Sequence, residues 1–204
     1  MLSFNSSLLS IAADFVGTHS PFQTIQITPA PSGGVFLAST DKGNIACLAH
    51  DSGGSADETI NIIPSKDLAR ATKGIKTGDR NIRIEDSMAV VTTYKKTTQN
   101  QVVEIPIIKS TIDFPDLSSA ITDCLQRWSM TPETSETAGR YNISYINKAI
   151  KSLSVFDTSI TFSAFDGGPL RIQGASDQIV ILVMPQTAEK IPPVPWWVKD
   201  YAAK

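Results

Sequence analysis

His19 and His50 are the only histidines and Cys47 and Cys124 the only cysteines in the sequence. Each histidine stands beside turn residues, and neither has a metal-type partner at helical spacing. The cysteines show neither Cys-x-x-Cys nor Cys/His spacing, so the pattern indicates neither a zinc site nor a disulfide framework and predicts two small buried apolar residues. The stretch Gly53-Gly54-Ser55-Ala56-Asp57 lacks the final glycine of a nucleophile elbow. The stretch Lys73-Gly74-Ile75-Lys76-Thr77-Gly78 lacks the Gly-Lys-Thr adjacency of a phosphate-binding loop. Asp113 and Asp116, on either side of Pro115, read as capping or turn residues. With no nucleophile, base or ligand set in place, the chain is expected to be no enzyme and to hold no cofactor or metal.

The charges are more informative. The net charge is −2, which by itself speaks against a dedicated phosphate binder. Between Ser65 and Arg80, however, Lys66, Arg70, Lys73, Lys76 and Arg80 outnumber Asp67 and Asp79. Between Ser144 and Leu153, Lys148 and Lys151 face no acid, so the remainder of the chain is net acidic. Both basic stretches have helical periodicity. In the first, Leu68, Ala71, Thr72 and Ile75 form the inward side after an N-cap at Ser65, with Lys66, Arg70 and Lys73 opposite. In the second, Ile146, Ala149, Ile150 and Leu153 lie inward and Lys148 and Lys151 outward. A solvated surface explains either helix alone. Two at matching places of a repeat weigh equally for a face that binds polyanion.

The repeat is read from the elements that must carry those helices. The order strand, helix, three strands occurs three times, beginning at residues 1, 58 and 139. The first helix, Ser6 to His19, has the stripe Leu8, Ile11, Ala12, Phe15 and Val16, with Ser6, Ser10 and Asp14 predicted outward and uncharged or acidic. The fold expected is α+β, with antiparallel sheets on one side and helices on the other. The expected division is 1–118 for two units, 119–139 for a linker that opens with a short helix through Trp128, 140–186 for a third unit, and 187–204 for a tail. In that tail Pro192, Pro193 and Pro195 enforce an extended form, and Trp196 and Trp197 call for a surface to cover, an edge strand before a peptide pocket. No run reaches the length of a membrane span, and the first residues lack the basic start and apolar stretch of a secretory signal, so a cytoplasmic location without membrane contact is expected.

Several ordered segments resemble the bacterial β sliding clamp family, the processivity subunit of the replicative DNA polymerase. Ser39 to Ala46, "STDKGNIA", is similar to that family's Ala-Thr-Asp-Gly-His-Arg-Leu-Ala segment. "STIDFPDLSSAI" places Phe114, Pro115 and Asp116 at its Phe-Pro-Asp positions. "YNISYINKAIKSL", "PLRIQ" and "VILVMPQ" look like the second half of its last domain up to the closing Met-Pro. The resemblance runs over about residues 4 to 186.

It implies a DNA-clamp fold that encircles double-stranded DNA, with Lys66, Arg70, Lys73, Lys76, Lys148 and Lys151 turned to the duplex and no base reading. It also implies a hydrophobic pocket for DNA polymerase and clamp-loader peptides. Carried over by position, that pocket comprises Thr40, Lys42, Ile45, Pro115, Ala120, Leu182, Val183, Met184 and Pro185, with completion of the core an equal alternative for Leu182 and Val183. Lys42, Gly43 and Asn44 stand where the family has Gly, His and Arg, and Ser119 where it has a basic residue. The family has six half-units per chain and closes as a dimer. Three units here imply a homo-oligomer, a tetramer for twelve, of a size that fits a phage or plasmid version. An adaptor or decoy that binds replication proteins without encircling DNA is the alternative.

Overall fold

The computed structural model describes residues 1–75, 78–96, 98–129, 137–164, 167–193, 195 and 198. The first unit is β1 (Leu2–Asn5), α1 (Ser6–Asp14), β2 (Ile25–Pro29), β3 (Val35–Asp41), β4 (Ile45–Asp51) and a short β5 (Ser55–Ala56). The second is β6 (Ile60–Ile63), α2 (Lys66–Ala71), β7 (Asp79–Glu85), β8 (Met88–Lys95), β9 (Thr98–Pro106) and β10 (Ile108–Lys109). After α3 (Ser118–Ser129), the third is β11 (Thr137–Arg140), α4 (Ile143–Leu153), β12 (Ile160–Ser163), β13 (Leu170–Gly174), β14 (Ile179–Val183) and β15 (Thr187–Lys190). The expected order therefore stands in all three units, each with an additional short strand after its last long one. Asn142 is the cap of α4, its side chain accepting from Ser144 N–H, and only two residues separate the end of β11 from the start of the helix.

The strands form a five-stranded sheet, β5-β1-β7-β8-β9, an eight-stranded sheet, β10-β6-β2-β3-β4-β14-β13-β12, and the pair β11-β15. The first two units exchange their first strands: β1 pairs antiparallel with β7, and β6 with β2. The third unit joins the first through antiparallel pairing of their last long strands, Ile45 opposite Val183 and Ala49 opposite Ile179.

Alternation decides the faces. In β4, Ile45, Cys47 and Ala49 are buried while Ala46, Leu48 and His50 are only half-buried. The inward residues meet α1, which packs on β2, β3 and β4 of one sheet and β7 of the other. Leu8, Leu9 and Phe15 of this segment, Ile27 and Leu37 of the first unit, Leu68 and Ile82 of the second, and Leu153 and Ile172 of the third are fully buried in one cluster. Each such side chain contributes about 1.5–3 kcal/mol by leaving water. Cys47 belongs to this core; burial, with the Asp14 carboxylate adding to it, pushes its thiol far above the ordinary range.

The helices differ from expectation in instructive ways. Helix α2 ends at Ala71, short of Ile75, because its last carbonyls are taken. The Thr72 hydroxyl donates to Leu68 C=O at 2.8 Å, and the Arg80 guanidinium donates to Ala71 and Lys73 C=O at 3.1 and 2.7 Å. Arg80 is thus a helix cap held from β7. Ser6 and Ser10 of α1 are not outward: their hydroxyls donate to Thr72 and Ala69 C=O of the α2 segment. Asp14 accepts from the Ser152 hydroxyl of α4 at 2.9 Å. Helix α1 therefore lies between α2 and α4, and its polar residues satisfy its neighbours.

Candidate functional site

A cleft of about 770 Å³ opens on the outer face of the eight-stranded sheet, across the joint between the first and third units. Its floor is one cross-strand row, Gln26, Ala38, Leu48 and Val180, on four neighbouring strands in direct register. One end is closed by the tilted Phe36 and His50 rings, with centroids 5.0 Å apart. Phe114, Pro115 and Leu117, with Ile121 of α3, supply the facing wall. The entry to α3 is fixed by the Asp116 carboxylate, which accepts from Ser118 N–H at 2.8 Å. That bond, joined by one from the Ser118 side chain, holds the Asp116 carboxyl below its ordinary range. A mostly apolar groove that also counts Gln178, Asp116 and Asp177 among its lining residues has the make-up of a site for a short apolar peptide.

Side-chain parity sorts the residues expected in the pocket. Thr40 and Leu182 lie on the outer face one row beyond the floor, since Phe36, Ala38 and Thr40 alternate along β3 and Val180 and Leu182 along β14. Ile45 and Val183 are opposite one another in register but point inward and are wholly buried, so they are core residues. Thr40 is buried too: its hydroxyl donates to Ile45 C=O at 2.8 Å and accepts from Gly43 N–H, locking the β3–β4 turn. Lys42 is exposed in that turn with φ 47°. Met184, 43% exposed, donates its N–H to Asn44 C=O at 2.9 Å, and Pro185 follows it half-buried. Pro115 lines the cleft, whereas Thr40, four strand residues or roughly 13 Å along β3 from Phe36, does not. Ala120 is exposed on α3 and does not line the cleft. The structure thus brings together Thr40, Lys42, Leu182, Met184 and Pro185 at one end of the joint, outside the lining of the cleft, which includes Pro115.

Phe36, Leu48, His50 and Val180 escaped the sequence reading. Their signal was the outward parity of β3, β4 and β14, which marks a covered outer face only when something is known to lie over it.

On the helices, Lys66, Arg70 and Lys73 of the α2 segment are exposed, with Arg70 paired to Asp67 at 2.9 Å. Lys151 is exposed in the last turn of α4, whereas Lys148 is half-buried with its ammonium 5.5 Å from the Phe15 ring centroid, a cation–π contact and not a free outward charge. Ile150, expected inward, is 37% exposed. Lys76 and the tail tryptophans Trp196 and Trp197 lie outside the described residues. The ends of α2 and α4 converge: a Cβ on Gly74 would come within 2.8 Å of Val155. The Tyr145 hydroxyl donates to Asp41 at 3.1 Å and ties α4 to the end of β3. Burial first, and then the Asp41 carboxylate, raise this phenol's pKa. Among the described residues no group of three or more His, Cys, Asp or Glu could hold a metal ion, and no helix is long and apolar enough to cross a membrane.

No family model matches the sequence, and no curated protein matches it. Solved structures do. The chain is similar to DNA polymerase III subunit β from Borrelia burgdorferi, with a TM-score of 0.55 at 13% identity over 91% of this chain and 63% of that one. It is similar to the DNA polymerase sliding clamp from Pseudomonas aeruginosa, with a TM-score of 0.54 at 14% identity over 91% and 65%. A putative DNA polymerase III β subunit from Eubacterium rectale gives 0.55 at 10% identity over 90% and 64%. The chain thus spans less than two thirds of the length of these structures. The fold is that of the sliding clamp, mixed α+β with antiparallel sheets.

Proposed function

We propose that this chain is a sliding-clamp processivity factor of the cytoplasm. It acts as a homo-oligomeric ring around duplex DNA and tethers DNA polymerase or a clamp loader by a short peptide seated in the outer cleft. The observation that carries the reading is the presence of two surfaces: the apolar cleft on the outer face of the eight-stranded sheet, and the cations of the helices, α4 packed on the other side of that sheet and α2 on β9 of the five-stranded sheet. A ring that slides needs attraction to phosphate that is indifferent to sequence, and exposed lysines on helices supply it in a salt-dependent form. Lys66, Arg70, Lys73 and Lys151 are the residues assigned to that face, with Lys76 beside them in sequence. The peptide site comprises the floor around Leu48 and Val180, the Phe36 end and the Pro115 wall, extended along the joint past Thr40 and Leu182 to Met184, Pro185 and Lys42.

A second reading, a clamp-fold adaptor or decoy that keeps the cleft and does not encircle DNA, is favoured by one feature. Among the described residues α1 offers no cation, Arg70 is engaged by Asp67 and Lys148 by Phe15. Retention on nicked circular against linear duplex separates the two, with the loading factors of a cognate replication system present. The ring predicts protein that stays on the circle and is lost from the linear form, with both lost on raising salt during loading. Equal retention on both topologies would leave the adaptor.

A further inference from the structure

In each unit the first strand has a short neighbour that follows the unit's own last long strand: β5 beside β1, β10 beside β6, β15 beside β11. In the first two units the opposite edge of that strand is taken by the strand after the sibling's helix, β7 for β1 and β2 for β6. The third unit shows only half of this pattern. Among the described residues β11 pairs with β15 alone, and β12, the counterpart of β2 and β7, is the last strand of its sheet. The edge of β12 carries no charge, and Phe162 on it is 51% exposed, so among the described residues nothing guards it against a further strand.

The helices repeat the mismatch. Counted from the N-caps Asn5 and Asn142, Ser6 and Ser10 of α1 correspond to Ile143 and Asn147 of α4. In α1 those positions face α2: the first meets Thr72, seven residues past the α2 cap Ser65, and the fifth meets Ala69, four past it. The crossing is therefore antiparallel, about a point between the fourth and fifth helical positions. In α4 the same face is apolar and open, with Ile143 73% and Ile150 37% exposed. A second α4 laid on it by the α1–α2 rule brings Ile143, the first position, over the seventh, Ala149, beside the exposed Ile150, in both directions, with Ile146 and Asn147 at the axis. The stripe is complementary to itself.

We propose that the third unit is completed by the third unit of a second copy of this chain. The two copies are related by a twofold axis, pack α4 on α4 at the Ile143–Ile150 stripe, and exchange β11 onto the open edge of β12 reciprocally. The interface repeats between chains the contact that the first two units make within one. It rests on the homo-oligomeric reading above, of which it is one joint; the test reads no DNA, so the pair can form where a ring does not, and the ring can fail where the pair stands.

The full chain is measured by light scattering across the micromolar range, together with three variants. Wild type is expected as an even number of chains. Ile143→Asp combined with Phe162→Lys is expected to weaken self-association at least tenfold while leaving the far-ultraviolet circular dichroism spectrum unchanged, since both positions are more than half exposed. Asn147→Cys is expected to give a covalent dimer on mild oxidation, because only a twofold axis sets that position against its own copy, and Lys66→Cys is expected to stay unlinked. A monomer at every concentration overturns the proposal, whether residues 191–204 or another protein then covers α4. So does an odd number of chains, or an oligomer that Asn147→Cys fails to cross-link.

Discussion

The first unit and the third have the same elements in the same order, yet one is enclosed and the other is open. Helix α1 has every large side chain buried and even its serines spent on a neighbour, Ser6 on Thr72 and Ser10 on Ala69. Helix α4 buries Ala149, Ser152 and Leu153 against β13, β14 and α1 but leaves Ile143 and Ile150 in water. The same position one residue past the cap is a buried serine in one and an exposed isoleucine in the other. A small polar residue suits a helix pair that is already close and satisfied within the chain, while a large apolar one suits a pair brought together from separate chains, where buried area must offset the entropy of association.

That contrast can be broken in three places. Leu8→Ala in α1 should have the largest effect, about 2–5 kcal/mol of stability lost by cavity formation, because Leu8 is wholly buried where both sheets meet. Chemical denaturation should show the third unit lost in the same transition, since one core joins all three units. Ser6→Ile, which gives α1 the residue of α4, should cost about 1–3 kcal/mol by overpacking and by loss of the bond to Thr72 C=O. The reverse exchange, Ile143→Ser in α4, should change the stability of the isolated chain by no more than about 0.5 kcal/mol. A destabilisation by Ile143→Ser as large as that of Ser6→Ile, with self-association unchanged, would show that Ile143 is already covered within its own chain.

Much of this was legible from local pattern. Amphipathic stripes marked α1, α2 and α4, and alternation marked the long strands, because helical and strand periodicities are set by the backbone and survive without tertiary context. The Phe114-Pro115-Asp116 segment, singled out by its resemblance alone, lines the cleft. What was not legible depends on distance in space. Nothing local to Ile45 or Val183 tells that both face inward, since alternation gives two faces and not which of them is covered. Nothing near Lys148 in sequence announces Phe15, and Arg80 reads as one more cation until its guanidinium is seen on the carboxyl end of α2.

By itself, then, the order of residues determined the thrice-repeated unit, the identity of its helices and the placing of cations upon them, because each of these follows from spacing along a single segment. The tertiary structure alone decided which first strands are exchanged, which outer-face row becomes the floor of a cleft, and which helix face is left open. Those outcomes turn on edges and faces meeting across long stretches of chain, as Leu48 meets Val180, 132 residues on, and Phe4 meets Ile82, 78 residues on, and a pattern read along one strand has no information about the strand laid beside it.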